Sequence, residues 1–241
     1  MGEIYNNICN ATAKGEKLLA VLIDPDKFIL ENTERFIEKV NCSKANFILV
    51  GGSTVDDNAT DALVKELKMH TSLPVIIFPG DITQITDRAD ALLFLSLISG
   101  RNPEYLIGKH VQSVSKIRAT KLELISTGYI LIENGKETAV QRITGTTPMP
   151  RTQVQNIIDT AKAGELLGMK LIYLEAGSGA LHPITPEIIQ GVKQELNIPL
   201  IVGGGIKSAK QLEEAYGSGA DIVVIGTAFE EDERFFDELL K

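Results

Sequence analysis

Eight short runs of consecutive apolar, largely β-branched residues recur along the chain, and they constrain the fold more than any other feature. They occupy 18–23, 46–50, 74–78, 91–95, 122–127, 171–175, 199–204 and 221–226. Apart from "LELIST" at 122–127, none alternates apolar with polar residues, as a strand with one wet face would. Continuous apolar strands belong in a parallel sheet covered on both sides. Segments of helical periodicity separate them, at 31–40, 57–69, 103–118, 152–167, 186–196, 208–216 and 229–240, with one more at 3–13. Strand–helix alternation of this kind builds βαβ units. No Pro/Gly/Ser-rich linker divides the chain, so residues 1–241 read as one domain. Eight units in one piece predict a (β/α)₈ barrel, the TIM-barrel class of α/β fold, rather than an open sheet. The 241 residues match the roughly 250 such a barrel uses.

Two places break the rhythm. Only "PGDITQITDRAD" lies between the third and fourth runs, too little for two loops and a full helix. The third crossover helix is therefore expected to be missing or reduced, opening one side of the barrel. The second is "YILIENGKETAVQRI", which reads as a β-hairpin turning at Asn134–Gly135 and covering the active face.

Several function classes drop out on composition. A net charge of −8 with no basic run argues against a nucleic-acid partner, though not against a small phosphorylated one. No apolar run reaches the roughly 18 residues of a membrane span. "MGEIYNNICN" has neither a basic flank nor an apolar signal core, so a cytoplasmic protein is expected. Cys9 and Cys42 stand outside any metal-ligand spacing and read as reduced thiols.

The chemistry is expected at the C-terminal strand ends, where barrel enzymes build their sites. The seventh run leads into Gly203, Gly204 and Gly205, and the eighth into Gly226 and Thr227. Small residues where helices begin let peptide N–H groups point at a phosphate. Tight strand-to-helix turning uses glycine too, but here two adjacent turns carry it. Gly177–Ser178–Gly179 adds a third wall after the sixth run. Across the barrel, "LIDPDK" ends the first run with Asp24, and "VGGST" ends the second with Ser53. A carboxylate and a hydroxyl on neighbouring strand ends are hard oxygen ligands suited to Mg²⁺. Turn or N-cap duty is the alternative for each.

Taken together, "LIDPDK", "VGGST", "SGRNPEYLIGKH", "YLEAGSG" and "VGGGI" resemble the geranylgeranylglyceryl phosphate synthases and the related heptaprenylglyceryl phosphate synthases. The resemblance runs through nearly the whole chain. It implies a Mg²⁺-dependent prenyltransferase of ether-lipid synthesis that joins sn-glycerol 1-phosphate to a polyprenyl diphosphate and releases diphosphate. It also implies that Asp24 and Ser53 hold the metal. Tyr173, Leu174, Glu175, Ala176, Gly177, Ser178 and Gly179 would hold glycerol phosphate together with Gly203–Gly205, Gly226 and Thr227. A homo-oligomer is implied as well. One position departs from the family pattern: Leu22 stands where members often carry a lysine, so that phosphate contact is either lost or supplied by another base such as Lys27 or Lys207.

Ether formation needs a proton acceptor for the glycerol hydroxyl and a fixed orientation. Glu175 at the end of the sixth run is the candidate base, and Tyr173 the candidate clamp. Leu93, Leu95, Leu97, Ile98 and Tyr105 are candidates for a prenyl groove, and Arg101 for a diphosphate contact. Two other readings use the same glycines: a sugar-phosphate isomerase or lyase, and a phosphoglycerol-binding barrel without turnover.

Overall fold

The computed structural model describes residues 2–53, 55–56, 58–226, 229 and 239. Its frame is a closed barrel of eight parallel strands in sequential order. These are β1 (Leu18–Ile23), β2 (Ala45–Val50), β3 (Val75–Ile77), β4 (Ala91–Leu97), β5 (Glu123–Leu131), β6 (Leu171–Glu175), β7 (Leu200–Gly203) and β8 (Ile222–Ile225). Around them lie α2 (Thr33–Cys42), α3 (Ala59–His70), α4 (Lys109–Ile117), α5 (Ala139–Thr144), α6 (Val154–Leu166), α7 (Pro186–Glu195) and α8 (Ala209–Gly217). The helix expected at 229–240 falls almost wholly outside the described residues.

Apolar residues on every strand divide into two cores, as the alternation of side chains demands. Ile48, Val50, Leu174 and Val223 pack outwards against helices. Ala20, Leu49, Leu93 and Tyr173 point into the barrel. At its N-terminal end the interior meets α1 (Glu3–Ala13), which buries Ile4, Tyr5, Ile8 and Ala11 along one face. The first turn of α1 has free N–H groups, and the Glu123 carboxylate takes those of Ile4 and Tyr5 at 2.8 and 2.9 Å. That end of the barrel is floored by α1, and chemistry is left to the other end.

The expected gap in the third crossover is present. Between β3 and β4 there is only one 3₁₀ turn, Ile82–Gln84. A helix here would have satisfied its own backbone; the turn relies on neighbours instead. Lys116 of α4 donates to the carbonyls of Ile82 and Thr83, both at 3.1 Å. Lys109 pairs with Asp81. Gln84, buried, donates to Gly52 O at 2.8 Å and accepts from Gly80 N at 3.2 Å. The segment before α4 forms a wide π-type turn over Glu104–Gly108.

The expected hairpin at Asn134–Gly135 is not formed. "GYIL" continues β5 to Leu131, in parallel register with β6. Asn134 does not serve a hairpin turn: its amide nitrogen donates to Ala176 O, and its side-chain oxygen accepts from Lys136 N. The chain then enters α5, N-capped by Thr138, whose hydroxyl accepts from Gln141 N. The covering element is therefore helical, and its only strand-like trace is a bridge between Ile132 and Met149.

Candidate active site

A cavity of about 300 Å³ opens at the C-terminal ends of the strands. One part is polar and bordered by Asp24, Ser53, Glu175, Ser178 and Lys207. The other is an apolar arm between β4, α4 and α5, bordered by Leu93, Phe94, Leu95, Tyr105, Val140 and Ile143. The arm also reaches Asp81, Ile82 and Ile85, on the segment that replaces the third helix.

Glu175 is the last residue of β6. It is buried, and burial raises its carboxyl from 4.5 to about 7, against the opposing pull of the Gly177 N–H and of Tyr173. The Gly177 N–H donates to Oε1 at 2.5 Å. The Tyr173 hydroxyl lies beside the carboxylate but makes no well-aligned hydrogen bond to any protein group. A buried phenol beside a carboxylate and next to a cavity has a hydrogen to turn either way. Its ring stacks on Phe78 at 5.3 Å and meets the edge of Tyr129 at 5.4 Å. Burial first, and then the neighbouring Glu175 charge, raises the phenol of Tyr129 as well as that of Tyr173.

Tyr129 was not among the expected site residues. It faces Tyr173 across the β5–β6 register and lines the cavity. Reading "GYIL" as strand would have found it, because that register sets position 129 on the inward face.

The triple glycine has a packing reason that the sequence did not disclose. A Cβ on Gly203 would stand 2.5 Å from the Tyr173 hydroxyl, and one on Gly204 would stand 2.5 Å from Glu175 Oε1. Gly204 also has φ +84°, which disfavours any side chain. These glycines let β7 close on the buried acid. Gly203 is itself buried and does not border the cavity, whereas Gly204, Gly205 and Gly226 do. Gly177 and Gly179 border it too, with Ser178 between them. A Cβ on Gly177 would run into Thr138, so this loop is pressed under the start of α5.

Leu174 and Ala176, expected against the substrate, are fully buried in the outer core and do not reach the cavity. Strand alternation turns Leu174 away while its neighbours Tyr173 and Glu175 point in. Thr227 lies outside the described residues. Of the groove candidates, Leu93, Leu95, Leu97 and Tyr105 border the cavity, whereas Ile98 packs against the outer core. Arg101 donates to the carbonyls of Ile98 and Gly100 and lies off the cavity. His110 does border the arm, edge-on to Phe94 at 4.4 Å, and burial lowers its pKa.

Asp24 and Ser53 both border the polar part. Gly52 lies against the carboxylate, since a Cβ there would be 2.7 Å from Asp24 Oδ1. Asp24 Oδ2 is paired with Lys27 at 2.8 Å, and Oδ1 accepts from Asp26 N at 3.2 Å. Among the described residues, no group of three or more His, Cys, Asp or Glu side chains is placed to hold a metal. Mg²⁺ needs no such cage, because it is commonly held by one or two carboxylates plus water and substrate phosphate. One carboxylate and one hydroxyl, both hard and both facing the cavity, fit that requirement. Lys207 and Lys27 border the same space as Leu22, so two cations are at hand where the strand-one position is apolar.

Comparison with known proteins gives a consistent result. A family model described as the PcrB family matches residues 12–241. A geranylgeranylglyceryl phosphate synthase of Flavobacterium johnsoniae is 53% identical over 234 residues, 97% of this chain and 96% of that one. One from Pyrococcus abyssi is 40% identical over 231 residues, covering 95% and 91%. Among solved structures, the chain is similar to (S)-3-O-geranylgeranylglyceryl phosphate synthase from Thermoplasma acidophilum, in complex with substrate sn-glycerol-1-phosphate. That match has a TM-score of 0.92 at 33% identity, covering 99% of this chain and 96% of the other.

Proposed function

The chain belongs to the PcrB family, and from that premise we propose how its barrel carries out the geranylgeranylglyceryl phosphate synthase reaction. The protein is a prenyltransferase of ether-lipid synthesis. Its acceptor in this reading is sn-glycerol 1-phosphate, and its donor is a polyprenyl diphosphate. The observation that carries the reading is a single cavity in which a polar chamber holding a buried acid runs into an apolar arm, through the side left open by the missing third helix.

The acceptor phosphate lies against the loops at Gly177–Gly179, Gly204–Gly205 and Gly226. There, N–H groups without side chains in front of them take anionic oxygens. Lys207 adds the positive charge that Leu22 does not. The glycerol hydroxyl is then directed at Glu175, with the Tyr173 phenol as the orienting donor. Glu175 accepts the hydroxyl proton as the oxygen bonds to C1 of the prenyl group, and diphosphate departs with the electrons of the broken C–O bond. A base with a pKa near 7 is matched to this work at neutral pH. The arm between β4, α4 and α5 receives the hydrocarbon and keeps water from the allylic carbon. Asp24 and Ser53 would hold Mg²⁺, whose chemistry is to neutralise the diphosphate as it leaves.

Incubation with sn-glycerol 1-phosphate and a ladder of prenyl diphosphates, read by product mass, tests the proposal. An ether product dependent on both substrates is expected. Binding of glycerol phosphate without product would favour the non-catalytic barrel. The family resemblance supports a homo-oligomer, which sedimentation velocity measures directly.

A further inference from the structure

α4 meets two different environments. Its inner side sets Lys109, His110 and Ser113 along the apolar arm, and Tyr105 joins them from the preceding turn. On the outer side stand Val111 and Val114 of α4, i and i+3 and so neighbours on one face, with Ile107 exposed on the π-type turn just before the helix. Their exposures are 60%, 67% and 41%, and none borders the cavity. Ile143 of α5 is 37% exposed and does border it, so it stands on the rim. The Tyr105 hydroxyl donates to the Ile143 carbonyl at 3.3 Å, tying that rim to the start of the stripe. The exposed apolar residues of α4 and its preceding turn thus lie on the same part of the chain that borders the arm.

One carboxylate, Glu104, lies against Gly108 and accepts from Gln112 at 3.2 Å beside the stripe, but the charge from there on runs against that of the whole chain. From Tyr105 to Leu122 there is no acidic residue, while Lys109, Lys116, Arg118 and Lys121 contribute four positive charges to a protein of net charge −8. Asp81 neutralises Lys109. Lys116 rests on backbone carbonyls rather than on a carboxylate, and Lys116, Arg118 and Lys121 are exposed. A basic helix with an exposed apolar stripe suits the interface of an anionic bilayer. A two-fold contact between copies would instead set this basic face against itself.

We propose that the outer face of α4 docks on an anionic lipid surface, presenting the mouth of the arm to the bilayer from which the prenyl chain is drawn. This rests on the reading of the arm as the prenyl site. Among the described residues, no helix is long and apolar enough to cross a membrane, so the contact proposed is with the surface.

Co-sedimentation with vesicles tests this. One set is phosphatidylcholine alone, and the other carries about one-third phosphatidylglycerol. The intact protein is expected to sediment with the anionic vesicles, less so as salt is raised, and not with the neutral ones. The triple variant Ile107→Ser, Val111→Ser, Val114→Ser should weaken that partition about tenfold or more. The pair Arg118→Glu, Lys121→Glu should do the same through charge. Both should keep wild-type turnover of a short, water-soluble prenyl diphosphate, which also reports that they fold. Three outcomes overturn the proposal: no anionic-vesicle binding by the wild type, equal binding by the triple variant, or dissociation of an oligomer by that variant with vesicle binding unchanged. Turnover without vesicle binding refutes the docking face and leaves prenyl transfer standing. Vesicle binding without turnover refutes prenyl transfer and supports the lipid surface.

Discussion

Replacing Glu175 by Gln changes one proton and almost no volume, so it isolates what burial does to this acid. The rise of the carboxyl from 4.5 to about 7 corresponds to roughly 3 kcal/mol of extra cost for holding the charge inside the barrel. The sign follows from proton counting. Between 4.5 and about 7 the folded protein keeps a proton that the unfolded chain has lost, so stability falls as pH rises through this window and levels off above it. Gln carries no such proton and escapes the loss. The stability of Glu175→Gln relative to wild type should therefore increase by up to roughly 3 kcal/mol between pH 5 and pH 8. Urea denaturation at several pH values measures it. Rate provides the second arm. Wild-type kcat/KM should fall on an acid limb with an apparent pKa near 7, where the base becomes protonated. The Gln variant should lose about 10²–10⁴ in rate while still binding glycerol phosphate. A stability difference that does not vary with pH, or an acid limb near 4.5, would refute the claim that burial tunes this carboxyl. Equal losses in binding and rate would make Glu175 a residue that holds substrate rather than one that takes its proton.

Asp24→Asn should abolish turnover and the response to added Mg²⁺ while leaving the melting curve in place; wild-type activity across a Mg²⁺ titration would sink the metal assignment. Gly204→Ala sets a Cβ 2.5 Å from Glu175 Oε1 and 2.6 Å from Gly177 N at φ +84°. A left-handed alanine and an overpacked site together should cost roughly 2–5 kcal/mol, read by chemical denaturation, and a loss well below 1 kcal/mol would show that the loop yields freely. Tyr105→Ala removes a ring that borders the arm and should shift the products of mixed prenyl diphosphates towards longer chains. An unchanged distribution with a lowered melting point would mean that the ring only packs the turn.

The barrel was legible because its strands are buried on both faces. That is why "LIYLE" ends at Glu175 both by pattern and in the fold. The missing helix was legible from simple length, since a crossover cannot fit into "PGDITQITDRAD". Its replacement was not legible: Lys116 satisfies the turn from α4 and Gln84 reaches from the turn to Gly52, and no local pattern announces a partner at such distance. Asn134–Gly135 misled for the opposite reason. Its local signal is strong, but the Asn amide is claimed by Ala176 O, and tertiary contact overrode turn preference. The same error hid Tyr129. The glycines after β7 were readable as an approach of backbone to something. That Gly203 and Gly204 approach Tyr173 and Glu175 emerges only in the fold, because no spacing rule links positions about 30 residues apart in this way.

The open crossover also bears on how this protein can be inhibited. If the chamber takes glycerol phosphate and the arm the prenyl chain, as proposed, a phosphoglycerol head and a hydrocarbon tail joined by an uncharged linker would occupy both parts of this one cavity. Binding of the second half is then intramolecular, at an effective concentration in the millimolar range for a short linker. Two weak fragments so joined can gain about 10²–10⁴ in avidity over either alone. A barrel with a complete third helix would wall off the arm and forfeit that gain, so such a ligand would discriminate by topology among barrels that share the same phosphate loops.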